Sequence, residues 1–233
     1  GTLTLTSSTA EEDGIVYLSY TDADNNSYTD ARNSYVENNV AGADGGGIYF
    51  AGSNLVLNGL TSLTLTTVEN GVASTSELSD DLASGNYVST GVYGNSSTSG
   101  NGGGIYVAEK TDGNLSILLD NANIVHNSAL KGNGGAFYLT PNANFSFVSS
   151  GNDTISGNKA MNGGAFYFAS ELSSNATLQL PAVISGNSAS GNGGAIYAVG
   201  NLQWNKAGVT FENNSAEGSG GALSRRPSGL RKT

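Results

Sequence analysis

The sequence predicts an all-β protein, a right-handed parallel β-helix with about three short strands in each rung of roughly 30 residues. Three observations predict it. The first is a glycine-pair motif that recurs along the chain: Gly46-Gly47-Ile48-Tyr49, Gly103-Gly104-Ile105-Tyr106, Gly134-Gly135-Ala136-Phe137, Gly163-Gly164-Ala165-Phe166, Gly193-Gly194-Ala195-Ile196 and Gly220-Gly221-Ala222-Leu223. Aligned on the second glycine, the copies are 57, 31, 29, 30 and 27 residues apart, and the first step is close to twice the others. The second is an apolar-x-x-Asn motif that keeps step with it, ending at Asn39, Asn95, Asn127, Asn158, Asn187 and Asn214, always six to nine residues before the second glycine. The third is composition. Glycine supplies 34 of 233 residues and only 12% are charged, yet apolar runs are regularly spaced, so each repeat has something to bury and disorder is disfavoured.

In chain order, Thr2-Leu3-Thr4-Leu5-Thr6 alternates as a half-buried strand does, and residues 15–20 read as a buried one. Gly46-Gly47-Ile48-Tyr49 opens the first full corner, followed by strands around Leu55-Val56-Leu57 and over 60–68. Residues 69–91 carry four acids, no base and weak periodicity. They account for the doubled first step, either as a degenerate rung or as an insertion leaving the stack, and insertions in solenoids gather on one face. From 92 to 223 the repeat is regular, with strands expected at 115–119, 145–148, 176–180 and 202–204. Seven or so rungs at ~4.8 Å spacing make a rod roughly 35 Å long. The domain reads as 1–223. Residues 224–233 break both pattern and sign and read as a disordered basic tail of cloning or processing origin.

The two motifs have separate physical reasons. Glycine pairs permit positive φ and close backbone approach at a corner. Asn tolerates the left-handed region, and asparagines stacked from rung to rung form a ladder that satisfies buried turn amides. In the strand after each glycine pair, adjacent residues point to opposite sides. Ile48, Ile105, Phe137, Phe166 and Ile196 are therefore expected in the core, with Tyr49, Tyr106, Tyr138, Tyr167 and Tyr197 outside them, as a structural stack or a ligand-binding stripe.

Charge and motifs exclude several functions. Net charge is −10, and four of the nine basic residues lie in the last nine positions, so the body before them is strongly acidic and nucleic acid is not a partner. There is no cysteine and therefore no disulfide or thiolate metal site. No apolar run is long enough for a membrane helix, so the passenger region is not expected to span a membrane. A start at Gly1 without Met reads as a mature fragment or a piece cut from a longer chain. No Gly-x-Ser-x-Gly, phosphate loop or zinc spacing occurs, and no cofactor is expected. Polysaccharide-cleaving β-helix enzymes need clustered carboxylates. Here Asp120 and Asp153 are a possible pair across rungs, Asp80-Asp81 lies on the irregular segment, and His126, the only histidine, sits in a turn motif. No catalytic residue is assigned and the chain is not expected to be an enzyme. Asp22, Asp24 and Asn26 have the alternating spacing that opens a calcium loop, but Ser27 stands where glycine is needed and Asn33 where Glu is needed. An Asx-rich turn is the other reading. Within the irregular segment, Glu77, Asp80, Asp81 and Tyr87 are the candidate binding residues.

Taken together, Gly193-Gly194-Ala195-Ile196, Gly220-Gly221-Ala222-Leu223 and Phe211-Glu212-Asn213-Asn214, interleaved in register, resemble the repeats of the chlamydial polymorphic outer membrane proteins. The resemblance covers roughly residues 36–223. It departs where Ile or Val replaces Phe in most Asn motifs and where Gly47-Ile48 and Gly104-Ile105 lack the Ala. The family are autotransporters whose β-helical passenger is displayed outside the bacterium. The resemblance implies a location at the bacterial surface and an adhesin that binds a host cell-surface receptor, protein or glycan, through loops leaving the β-helix. A structural stalk or a self-assembling surface protein, homo-oligomeric through its open rung ends, is the alternative.

Overall fold

The computed structural model describes residues 2–6, 18–21, 27–30, 35–58, 64–69, 72–77, 91–111, 113–150, 153–204 and 208–227. The described residues are all-β, and four parallel sheets stack into a β-solenoid. Each complete rung has four strands rather than the three expected, because the two motifs flank a short strand of their own. The first complete rung is Tyr35–Glu37, Val40–Ala41, Ile48–Phe50 and Asn54–Asn58. The second is Gly91–Tyr93, Ser96–Ser97, Ile105–Val107 and Leu115–Asp120. The third is Asn123–Val125, Ser128–Asn133, Phe137–Leu139 and Phe145–Ser150, and the fourth is Thr154–Ser156, Lys159–Asn162, Phe166–Phe168 and Thr177–Gln179. Two further rungs contribute Val183–Ser185, Ser188–Ala189 and Ile196–Val199, then Thr210–Glu212, Ser215–Ala216 and Leu223–Arg226. Residues 202–204, expected as a strand, form none. Thr2–Thr6 extends the long sheet by pairing in parallel with Asn54–Asn58. Six stacked strands at ~4.8 Å span about 24 Å, shorter than the rod expected.

The doubled first step is an insertion. Gly91–Tyr93 pairs directly with Tyr35–Glu37, so no rung lies between them. The departure is also longer than residues 69–91. The chain leaves the stack after Asn58 and returns at Gly91, and within that stretch Thr64–Glu69 pairs antiparallel with Val72–Glu77. Thr64–Glu69 also pairs antiparallel with Ser27–Asp30, which pairs with Leu18–Thr21. Two excursions, one before the first complete rung and one after it, thus share one four-stranded antiparallel sheet. The strand expected over 15–20 belongs to this sheet from Leu18 onward. At the other end, Leu223–Arg226 pairs with Ile196–Val199. Ser224, Arg225 and Arg226, which the sequence reading put in a disordered tail, lie in the last strand.

The core follows from alternation. Leu115, Ile117 and Leu119 point inward from the long sheet, with Ser116 and Leu118 on its outer side. Like residues then stack from rung to rung: Leu55, Ile117, Phe147 and Leu178 share one register. Ile48, Ile105, Phe137, Phe166 and Ile196 share another and are all buried, as expected. Phe137 and Phe166 stack at 5.3 Å, and Phe147 meets both edge-on at 5.5 and 5.4 Å. These are the offset and T-shaped geometries that aromatic quadrupoles favour.

Candidate functional site

The apolar-x-x-Asn motif builds an interior amide ladder. Its third position is the left-handed one: Asn38, Gly94, His126, Gly157, Gly186 and Asn213 all have φ between 53° and 64°. Every occupant is a type that tolerates this region. That turn aims the next Asn inward, and Asn95, Asn127, Asn158 and Asn187 are wholly buried. Each carboxamide oxygen accepts two bonds from the preceding rung. Asn158 Oδ1, for example, takes the backbone N–H of Asn127 at 2.9 Å and its Nδ2 at 3.0 Å. Asn158 Nδ2 in turn donates to Asn187 Oδ1 at 3.0 Å and to the carbonyl of Ile124 at 2.9 Å. The same pattern runs from Asn39 through Asn95 to Asn214. No buried side-chain polar atom among the described residues lacks a partner.

The glycine pair divides into two roles, and its register differs from the alignment on the second glycine. Ile48 and Ile105 pair with Phe137, Phe166 and Ile196, so Gly47 and Gly104 occupy the Ala position of later rungs. Gly45 and Gly102, outside the pairs first chosen, match Gly134, Gly163, Gly193 and Gly220, and all six have positive φ. Gly46, Gly103, Gly135, Gly164, Gly194 and Gly221 follow them. At Gly164 a Cβ would lie 2.2 Å from the carbonyl oxygen of Gly194, because the next rung's backbone fills the space.

A second ladder escaped the sequence reading. Asn133 donates from Nδ2 to Asn101 Oδ1 at 3.1 Å, Asn162 to Asn133 at 2.9 Å and Asn192 to Asn162 at 3.2 Å. Asn101 begins it by donating to the Asp44 carboxylate at 3.2 Å. This ladder donates back toward the preceding rung, whereas the interior one donates forward, so their amide dipoles oppose. Its signal was the Asn directly before each Gly-Gly in 101–102, 133–134, 162–163 and 192–193.

Outside the core runs the tyrosine stripe. Tyr49, Tyr106, Tyr138, Tyr167 and Tyr197 stack face to face, with centroids 5.0–5.2 Å apart and planes within 16°. Tyr49, at the start, is 60% exposed and the others are half-buried. Burial pushes the Tyr138 hydroxyl up to about 12, with the neighbouring Tyr167 and Tyr106 adding to the rise. Burial likewise raises Tyr106 and Tyr167. Tyr106, Tyr138 and Tyr167 are therefore neutral phenols at physiological pH.

Among the described acidic candidates, Asp153 and Asp120 each have partners of their own. Asp153 is 7% exposed and spent on structure, with Oδ1 accepting the Ala122 N–H at 2.8 Å and Oδ2 accepting the Ser149 hydroxyl. Asp120 accepts from Asn121 Nδ2 at 3.0 Å. His126 is exposed at its left-handed turn. Glu77 closes the strand Val72–Glu77, opposite Thr64. Asp80, Asp81 and Tyr87 lie outside the described residues, as do Asp22, Asp24 and Asn26 of the calcium-type spacing.

These features define a class: a parallel β-solenoid held by an internal asparagine ladder, with aromatic residues stacked on its surface and an added sheet outside its rungs. Residues 181–199 and 208–224, the fifth and sixth rungs, match the family model of the Chlamydia polymorphic membrane protein repeat. The match covers these two rungs and likens the chain to a chlamydial outer-membrane family whose members are of surface autotransporter type. No curated protein and no solved structure matches it.

Proposed function

We propose that this chain is an adhesin passenger displayed at the bacterial surface, where it binds a host cell-surface receptor through the insertion that leaves the solenoid after Asn58. The observation that carries the reading is the four-stranded antiparallel sheet of Leu18–Thr21, Ser27–Asp30, Thr64–Glu69 and Val72–Glu77. Rungs stack across the insertion without it, since Gly91–Tyr93 and Leu115–Asp120 pair directly with the first complete rung. A solenoid does not need such a sheet to bury its core, and excursions from rigid scaffolds are where binding residues gather. Binding suits the chain better than catalysis, because Asp153 is already committed to the Ala122 amide and Ser149.

The test replaces residues 59–90 by Asn-Ala, the connection that Asn121-Ala122 makes in the next rung. The variant keeps its β spectrum and cooperative melting but loses saturable, self-competed binding to cultured epithelial cells. Undiminished binding by the variant overturns the assignment to the insertion. Absence of saturable binding by the parent chain overturns the adhesin reading itself.

A stalk or self-assembling protein is the second reading, favoured by the last rung, where Leu223 is 40% exposed. Against it, Arg225 occupies the register of Phe168 and Ala198 and donates to Asn201 at 2.7 Å. A charge there opposes the stacking of another apolar rung. Concentration-dependent mass in solution would favour assembly.

A further inference from the structure

The outer face of the long sheet carries a second surface, apart from the insertion. Parallel register puts Asn54, Ser116, Ser146 and Thr177 in one row. Beside them the exposed Asn114, Asn144 and Asn175 stand at the same place in three successive rungs, just before the long strand. Together these residues border a shallow cleft of about 420 Å³, with Phe145 beneath. On the other side of the hydroxyl row lie Val56, Leu118 and Val148, in register and half-buried. The face therefore reads amide, hydroxyl, apolar in the second and third rungs; in the first rung Asn54 takes the hydroxyl place, and in the fourth Gln179 takes the apolar one.

Its chemistry is selective. Among the described residues that line the cleft, none is ionisable, in a chain of net charge −10. A charged ligand finds no counter-charge among these lining side chains. A purely apolar one would strip water from amides and hydroxyls without replacing their hydrogen bonds. Amides and hydroxyls both donate and accept, so the matching ligand is neutral, presents alternating donors and acceptors along its edges, and has an apolar face for the valine and leucine row. It must also repeat at close to the ~4.8 Å strand spacing, near the length of one pyranose unit. We propose that this face binds an extended neutral oligosaccharide lying along the solenoid axis, one sugar per rung. None of the cleft residues belongs to the insertion, and its sugar binding stands independently of the adhesin assignment made there.

The test titrates the full chain with chitotetraose and cellotetraose, followed by calorimetry and by the side-chain amide resonances of Asn114, Asn144 and Asn175. At least one tetrasaccharide binds saturably and shifts those resonances. The Asn144→Ala/Asn175→Ala double variant, altered only at exposed positions, weakens binding about tenfold or more with its melting temperature unchanged. Ser146→Asp, which puts a charge into the neutral row, does the same. Replacement of 59–90 by Asn-Ala leaves sugar binding intact. No binding of either tetrasaccharide, binding only of sialylated or sulfated glycans, full affinity in both variants, or loss on replacing 59–90 would each overturn the proposal.

Discussion

The interior asparagine ladder and the exterior tyrosine ladder repeat at the same period, the first through six rungs and the second through five, yet they differ in what they do. Asn127, Asn158 and Asn187 are wholly buried, and each side chain serves both neighbours. Tyr106, Tyr138 and Tyr167 stack just as regularly but keep part of each ring in water. Burial turns the same repetition from a preference into a requirement. A buried amide without a partner costs its full desolvation, whereas a half-exposed ring loses only its stacking. The inside of the solenoid is therefore fixed by necessity, and its outside is free to vary.

The strongest way to break the interior side is at the corner. Gly164→Ala would put a methyl 2.2 Å from the Gly194 carbonyl oxygen and 2.6 Å from the Ser188 backbone. We expect a loss of about 4 kcal/mol or more, seen as failure to fold or a large drop in urea midpoint. Gly221→Ala is the control. It occupies the same motif position in the last rung, where the nearest atom is 3.5 Å away, and it should change stability by less than about 1 kcal/mol. Equal effects at the two sites would show that backbone approach is not what the glycine serves.

Next comes Asn158→Ala. It removes the acceptor for the Asn127 N–H and Nδ2, and the donor to the Ile124 carbonyl and Asn187 Oδ1. Several buried groups lose partners at about 1–3 kcal/mol each, so equilibrium unfolding should show a loss of about 3 kcal/mol or more. A loss below about 1 kcal/mol would mean that water or a neighbouring amide replaces the rung.

The exterior ladder should yield less. Tyr138→Ala removes two stacked pairs worth about 0.5–1.5 kcal/mol each at a half-exposed site, so about 1–2 kcal/mol is expected, and Tyr138→Phe should cost almost nothing. The hydroxyl has a separate signature. Its folded pKa is raised from 10.0 to about 12 by burial, as is that of Tyr93. The folded state holds these protons more tightly than the unfolded chain does. Their contribution to stability is therefore complete below pH 10 and is lost as pH rises from 10 toward 12. Ultraviolet titration of phenolate in the folded protein should show a late fraction that diminishes in Tyr138→Phe. A titration complete near the ordinary tyrosine value would refute the burial.

How legible these regions were follows the same division. The parallel stack, the inward Ile and Phe positions and the Asn ladder were readable because burial forces each rung to repeat the same residue types. The alignment slipped by one at Gly47 and Gly104 because three glycines in a row hide which one carries the positive φ. The Asn101–Asn192 ladder was visible as Asn-Gly-Gly but was overshadowed by the glycines. The four-stranded sheet was not legible. It is built by pairing residues near 28 with residues near 67, and neither stretch repeats. The neutral face of the long sheet was hidden for a related reason: Ser, Thr and Asn are common throughout this chain, and only the register shows which of them share a row.

The finest test of the comparison lies where interior and exterior meet. His126 has φ 58° and an exposed ring, while its backbone turns the chain so that Asn127 enters the ladder. The corresponding positions in other rungs hold Asn38, Gly94, Gly157, Gly186 and Asn213. If the backbone shape alone matters there, His126→Gly and His126→Asn should leave stability within about 0.5 kcal/mol, since both types accept the left-handed region. His126→Ala should cost about 1 kcal/mol through the strain of its Cβ. Equal stability of all three variants in thermal melts would show that the turn can relax, so that the ladder holds the turn in place. A loss confined to alanine would show the reverse order of control, with the turn setting the entry angle of Asn127 and the ladder depending on it.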